Sequence, residues 1–167
     1  MRCSLLLMYR LLTAWLPESR GFGWKNFLLR LAGVRIGRNV RIYSSARIIG
    51  TGPLEIGDDV HIGPEVMIYT NGAAKVAIGS HVDIAPRVTI LTGSHKIDPA
   101  GEHTAGAGTG MNVVIADGSW IGANATVLGG VVLHEKTVVA AGAVVCTGVE
   151  RGHCLLAGVP SVMKQTY

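Results

Sequence analysis

An aliphatic residue returns every six positions, fifteen times in five runs of three, and this ruler constrains the chain more than any other feature. The runs are Ile36, Ile42, Ile48; Ile56, Ile62, Ile68; Ile78, Ile84, Ile90; Ile115, Ile121, Val127; and Leu133, Val139, Val145. Gly or Ala often follows directly, as at Gly37, Gly57, Gly79, Ala85, Gly122 and Ala140. Four residues on stands a small or β-branched side chain, such as Val60, Val82, Ala125 or Ala143. A period of six fits neither a helix, at ~3.6, nor a lone strand, at ~2. It fits short strands joined by turns, three hexads closing one triangular coil of a β-helix.

The coils open at Val34, Leu54, Val76, Val113 and Val131, at intervals of 20, 22, 37 and 18 residues. An eighteen-residue coil leaves insertions of 2, 4, 19 and 0, so one real excursion interrupts the solenoid, over about 91–111. Long excursions from a repeat fold project as loops and carry function. The reading is therefore all-β: a parallel β-helix of about five coils over 34–159, with an N-terminal helical segment at 1–33 and a tail at 160–167. Composition agrees, because 49% hydrophobic content with only 5% aromatics suits a narrow core of stacked Ile and Val.

The net charge of +4 conceals an asymmetry. Residues 1–47 hold nine of the fifteen basic residues and one acid, Glu18, for +8; the remainder holds six against ten, for −4. The basic residues are interleaved with Leu and Trp and carry no nucleic-acid signature, so the segment points to a membrane surface or acidic partner, with no nucleic acid. No run approaches the ~18 apolar residues of a spanning helix, and nothing resembles a cleaved signal. Three cysteines, Cys3, Cys146 and Cys154, fit reduced thiols in a cytoplasmic protein, which can associate with the inner membrane surface.

Leu5–Leu16 reads as a short helix stopped by Pro17. Gly23–Ala32 reads as a second, with Trp24, Phe27, Leu28 and Leu31 on one face and Lys25, Asn26 and Arg30 on the other. Two roles are open to them. They can cap the end of the solenoid, where strand edges and apolar core would otherwise be exposed, or they can lie on a membrane.

The excursion gathers His95, Asp98, Glu102 and His103 within nine residues. His95 stands where the last strand of its coil runs into the loop, held on one side and open on the other. An imidazole there suits a general base near neutral pH; the position suits a solvated loop histidine equally. His95 and His103 can supply two ligands to a metal whose third comes from a neighbouring subunit. The reading adopted expects no metal. His61, His81, His134 and His153 fall at different places in the hexad and read as surface corners.

The repeat, the stretch from Thr92 to Pro99 and the coil from Ile115 to Val127 resemble the hexapeptide-repeat acetyltransferases. The maltose, galactoside and capsular or colanic-type polysaccharide O-acetyltransferases are the nearest in pattern. The likeness spans about 34–160 and ends in Ala157, Gly158, Val159 and Pro160, similar to that family's terminal signature. It implies a left-handed coil, against the general right-handed rule for crossovers, and a homotrimer with acetyl-CoA bound between subunits. It further implies His95 as catalytic base, Trp120, Gly122 and Ala123 along the pantetheine arm, and Ala141 offering backbone contacts. Cys146 and Thr147 would lie near the adenine, Lys164 near the phosphates, and Asn71 against the acceptor. The chain departs from the pattern in carrying Cys146 and Thr147 where the family has Thr-Lys, and in having a single late Lys164 in the tail.

Together these imply an acetyl-CoA-dependent O-acetyltransferase acting on a sugar or a polysaccharide or glycolipid intermediate. Transfer would be direct: His95 takes the acceptor proton, Asp98 or Glu102 (or a loop carbonyl) orients the ring, and backbone N–H groups around Gly122 and Ala123 receive the developing negative charge. The alternatives are a γ-carbonic-anhydrase-like metalloenzyme, a sugar N-acetyltransferase and a non-catalytic β-helix scaffold. The lack of a separate N-terminal nucleotide-binding domain favours hydroxyl acceptors.

Overall fold

A computed structural model describes residues 1–72 and 74–167. Three parallel sheets form the faces of a triangular prism. Face A stacks β1 (Arg35–Ile36), β4 (Leu54–Ile56), β7 (Val76–Ile78), β12 (Val113–Ile115) and β15 (Val132–Leu133). Face B stacks β2 (Arg41–Ile42), β5 (His61–Ile62), β8 (Asp83–Ile84), β13 (Trp120–Ile121) and β16 (Val138–Val139). Face C stacks β3 (Arg47–Gly50), β6 (Met67–Thr70), β9 (Thr89–Leu91), β14 (Thr126–Val127) and β17 (Val144–Val145). Each coil contributes one strand to each face.

The six-residue ruler becomes three internal columns. Ile36, Ile56, Ile78, Ile115 and Leu133 are register partners down face A. Ile42, Ile62, Ile84, Ile121 and Val139 do the same down face B, and Ile48, Ile68, Ile90, Val127 and Val145 down face C. All but Ile36 are buried. Each such side chain contributes about 1.5–3 kcal/mol on burial, and identical spacing in every coil fixes the register, since a one-residue slip would turn a column outward. The residues four positions on fill the corners; Ser119 and Thr137, the polar ones, both donate to the His134 carbonyl, at 3.2 and 2.7 Å.

Five full coils are followed by the start of a sixth. β18 (Cys154–Gly158) joins face B with Leu156 beneath Val139. The tail is ordered, because β19 (Ser161–Thr166) folds back antiparallel on β18. Cys154 and Leu156 are buried there, so this hairpin closes the C-terminal end of the core.

The opposite end carries α1 (Cys3–Thr13) and α2 (Phe22–Leu31), each beginning one or two residues before the sequence pattern suggested. The expected faces of α2 are exchanged in part, Leu28 being buried and Arg30 exposed as the pattern suggested. Lys25, Asn26, Leu28 and Leu29 are buried, whereas Trp24, Phe27 and Leu31 are about half exposed. Polar groups turn inward because the first coil presents unpaired carbonyls. Asn26 Nδ2 donates to the Val40 carbonyl at 2.8 Å. Arg30 donates to the carbonyls of Ile36 and Gly37, its closest bonds to them 3.0 and 2.8 Å. Lys25 Nζ donates to the Glu18 carbonyl and to Ser44 Oγ, and lies 4.6 Å above the Phe22 ring. Burial lowers the Lys25 pKa, with the Glu18 charge opposing.

Two histidines assigned to different hexad places share one corner. His81 and His153 both adopt positive φ, at 58° and 52°, at the turn between faces A and B. The same turn in intervening coils is made by Gly118 and Lys136. His81 lies 3.8 Å from Asp59 of the coil before it.

Candidate active site

The excursion is an arm rather than an irregular loop. β10 (Gly93–Ile97) and β11 (Ala105–Gly110) pair antiparallel and leave the prism at the edge between faces C and A. Gly93 faces Gly110, Ser94 faces Thr109 and His95 faces Gly108, with a bulge between His95 and Ile97. The glycines and small residues of β11 leave the arm no core of its own. Its base is held from below by Asn71, whose N–H donates to Thr92 Oγ1 at 2.9 Å and whose side-chain amide donates to the Thr109 carbonyl at 3.2 Å.

His95 is exposed, and its Nδ1 lies 2.8 Å from the Gly106 carbonyl oxygen. A carbonyl has no proton to give, so in the neutral ring Nδ1 is the donor and Nε2 keeps its lone pair. This tautomer is the one a general base requires, with the imidazole oriented by backbone. The orienting group is thus the Gly106 carbonyl and not Asp98 or Glu102. Asp98 instead accepts N–H bonds from Ala100 and Gly101 with the same oxygen, Oδ1, at 3.2 and 3.0 Å, shaping the tip of the arm. Glu102 and His103 are exposed at that tip. Among the described residues, no three His, Cys, Asp or Glu side chains are arranged to hold a metal ion.

The residues that the resemblance links to acetyl-CoA are spread over face B, the two edges of face C and the C-terminal hairpin. Trp120 projects from β13 on face B, 56% exposed, between Asp83 and Val138. Ala123 and the exposed Ala141 stack at the edge between faces B and C, one coil apart, joined by a Gly142 N–H to Ala123 carbonyl bond of 2.8 Å. Cys146 and Thr147 are exposed at the far edge, between C and A. Lys164 sits on β19 at the register shift opposite Leu155 and Leu156. Gly122 does not offer the N–H expected of it, which is already donated to the Val139 carbonyl at 2.8 Å. Glycine is required there because a Cβ would stand 2.6 Å from the Ala141 nitrogen.

The arm therefore springs from the C–A edge, whereas Ala123 and Ala141 mark the B–C edge, with Trp120 nearby. A separate groove of about 760 Å³ lies between α1 and face C, lined by Tyr9, Arg10, Arg47 and Met67 among others. It shares no residue with the arm or with the Trp120–Ala141 edge. The sequence reading allowed a loop carbonyl as the orienting group but did not single out Gly106; a run of small residues from Ala105 to Gly110 was its only signal.

A model described as bacterial transferase hexapeptide (six repeats) matches residues 112–147. The putative colanic acid biosynthesis acetyltransferase WcaF of Escherichia coli (strain K12) is 37% identical over 128 residues, covering 77% of this chain and 66% of that protein. The chain thus spans just under two thirds of that relative. The galactoside O-acetyltransferase of Lactococcus lactis is 29% identical over 113 residues, 65% of this chain and 54% of that one. A hexapeptide-repeat acetyltransferase from Vibrio cholerae superposes with a TM-score of 0.68 at 23% identity, over 98% of this chain and 90% of that structure. The N-acyltransferase AntD of Bacillus cereus, solved with dTDP-4-amino-4,6-dideoxyglucose and coenzyme A, gives 0.65 at 18% identity over 90% and 91%. At these identities the two structures establish a shared fold.

Proposed function

Because the chain belongs to the hexapeptide-repeat transferase family, we propose that it moves an acetyl group from acetyl-CoA to a hydroxyl of a sugar or glycan intermediate. The observation that carries this reading is the 2.8 Å contact between His95 Nδ1 and the Gly106 carbonyl, which leaves the lone pair of Nε2 free on an exposed ring. Acetyl-CoA supplies an activated thioester carbonyl. The exposed Trp120 ring and the small side chains at Ala123 and Ala141 fit its pantetheine arm, offering one apolar wall and an edge free of bulk. Cys146, Thr147 and Lys164 are the groups for the nucleotide end.

Nε2 of His95 takes the acceptor hydroxyl proton as the oxygen attacks, and the imidazolium returns it to the departing thiolate sulfur. Assistance of this kind is worth about 10²–10⁴ in rate. Gly106 holds the ring throughout. Asn71 fixes the base of the arm, and the resemblance makes it the candidate contact to the acceptor. One chain carries the arm on one edge and the Trp120–Ala141 set toward another, so the working unit is a cyclic trimer in which one copy lends His95 to the next. The hydroxyl acceptor is inferred from the likeness to WcaF and to the galactoside enzyme.

The test is thiol release from acetyl-CoA across a panel of sugars and sugar nucleotides, with light scattering on the same sample. The account expects acetylation of a hydroxyl acceptor and a mass three times 17.5 kDa. Turnover confined to amino sugars would overturn the O-transfer assignment. Failure to bind or consume acetyl-CoA, by a monomer, would overturn the enzyme reading.

A further inference from the structure

The helical cap has two apolar faces, and the solenoid uses only one. On α1, Leu6, Tyr9 and Thr13 are buried against the rest of the protein. Leu7, Leu11 and Trp15 are 57%, 63% and 92% exposed, with Met8 and Leu12 beside them. At 100° per residue Leu7, Met8, Leu11 and Leu12 fall within one arc of about 140°, opposite the buried stripe, and Trp15 stands in the turn that follows the helix. α2 adds a second outward apolar group, its Trp24 and Phe27 rings stacked at 5.7 Å, with Leu31 one turn on. A cap alone has no use for this second face.

The charge around it is one-sided. Arg2, Arg10 and Arg20 are exposed and form no ion pair among the described residues. Glu18, the one acid in residues 1–47, spends Oε2 on the N–H and hydroxyl of Ser45, at 3.1 and 3.0 Å. A second copy brought face to face would set these unneutralised arginines against each other. An anionic surface neutralises them, while exposed Leu and Trp enter its interfacial layer. No helix among the described residues is long and apolar enough to cross a bilayer, so the contact is with one leaflet.

We infer that the outward face of α1, with the Trp24–Phe27 pair of α2, docks the protein on an anionic lipid bilayer. Leu11 and Trp15 insert, and Arg2, Arg10 and Arg20 lie against the headgroups. The inference is independent of the transferase reading, because it concerns only the cap.

The experiment is flotation of the full-length protein with phosphatidylglycerol–phosphatidylcholine vesicles and with pure phosphatidylcholine vesicles, at low and high salt. The expected result is binding to the anionic vesicles that weakens with salt. Arg10→Gln and Arg20→Gln should each weaken it about fivefold. Leu11→Ser with Trp15→Ser should weaken it at least about tenfold while leaving the melting curve unchanged, since both side chains are exposed. No binding to either vesicle, or equal binding to both, overturns the inference. A concentration-dependent rise in mass that Leu11→Ser with Trp15→Ser abolishes, without vesicle binding, assigns the face to a second copy and also overturns it.

Discussion

Gly110→Ala probes how the prism aims its arm. Gly110 lies at the base of β11, and a Cβ there would stand 2.6 Å from Asn71 Oδ1 and 3.0 Å from Cγ and Nδ2. Ordinary contact begins at 3.4 Å, so the Asn71 carboxamide must yield by roughly 0.8 Å. Its 3.2 Å bond to the Thr109 carbonyl is the bond that the shift breaks. A net hydrogen bond is worth about 1 kcal/mol, which lowers the melting temperature by about 2–4 °C in a chain of this size. The kinetic cost is larger. His95 stands two residues beyond Gly93, the partner of Gly110, and a misplacement of ~1 Å can cost ~10² in rate. The expected result is thus a small thermal shift with a fall in kcat of about ten- to a hundredfold.

Two controls isolate the cause. Gly108→Ala, opposite His95 but with nothing within 4 Å of its Cβ, should leave stability unchanged. In an Asn71→Ala background the three nearest atoms, all of the Asn71 carboxamide, are gone, so Gly110→Ala should add almost nothing, giving a coupling of about 1 kcal/mol in the double-mutant cycle. Additive thermal shifts, or a wild-type kcat in Gly110→Ala, would refute the claim that Asn71 sets the arm.

His95→Ala should lower turnover by about a hundredfold or more while acetyl-CoA binding survives; His103→Ala, at the exposed tip, should cost less, and equal losses would point to a paired-histidine mechanism. Ala141→Trp should abolish acetyl-CoA binding by calorimetry without altering the melting curve, because its side chain is exposed; unchanged affinity removes Ala141 from the site. Tyr9→Phe should leave stability at neutral pH unchanged or raised, since the buried phenol has no hydrogen-bond partner among the described residues. Burial pushes the Tyr9 phenol from 10.0 up to about 12, with Thr13, whose hydroxyl bonds the Tyr9 backbone carbonyl at 2.8 Å, opposing. The unfolded phenol then ionises first, so stability present below pH ~10 is lost as pH rises toward 12, by up to ~1.4 kcal/mol per unit. Phe at this position should flatten that alkaline slope in denaturant titrations.

The solenoid was legible because its constraint repeats. Fifteen aliphatic positions at one spacing leave a single register, and all three columns form where the ruler put them. The arm was legible only as an interruption. Its length and its histidine were visible, but the carbonyl that orients His95 belongs to Gly106, and no side chain announces a backbone acceptor. The helices show another limit. Amphipathic reading assigned Trp24, Phe27 and Leu28 to one face, and only Leu28 went in. Asn26 and Arg30 meet the edge of the first coil because unpaired carbonyls there need donors more than the core needs aromatics, and Lys25 ties the Glu18 carbonyl to the Ser44 hydroxyl. The C-terminal hairpin was missed because residues 160–167 bear no repeat; they pair with β18 through backbone alone.

The central claim is that His95 of one chain serves the Trp120–Ala141 edge of another, and mixing two inactive variants tests it most directly. His95→Ala lacks the base but keeps the edge; Ala141→Trp blocks the edge but keeps the base. Unfolded together and refolded at equal amounts, they form hybrid trimers in which about a quarter of the sites pair an intact His95 with an intact edge. The account predicts recovery of about a quarter of wild-type turnover from two preparations that are each nearly inactive. Mixed trimers that stay as inactive as their parents would show that each chain builds its site alone, and would contradict the account.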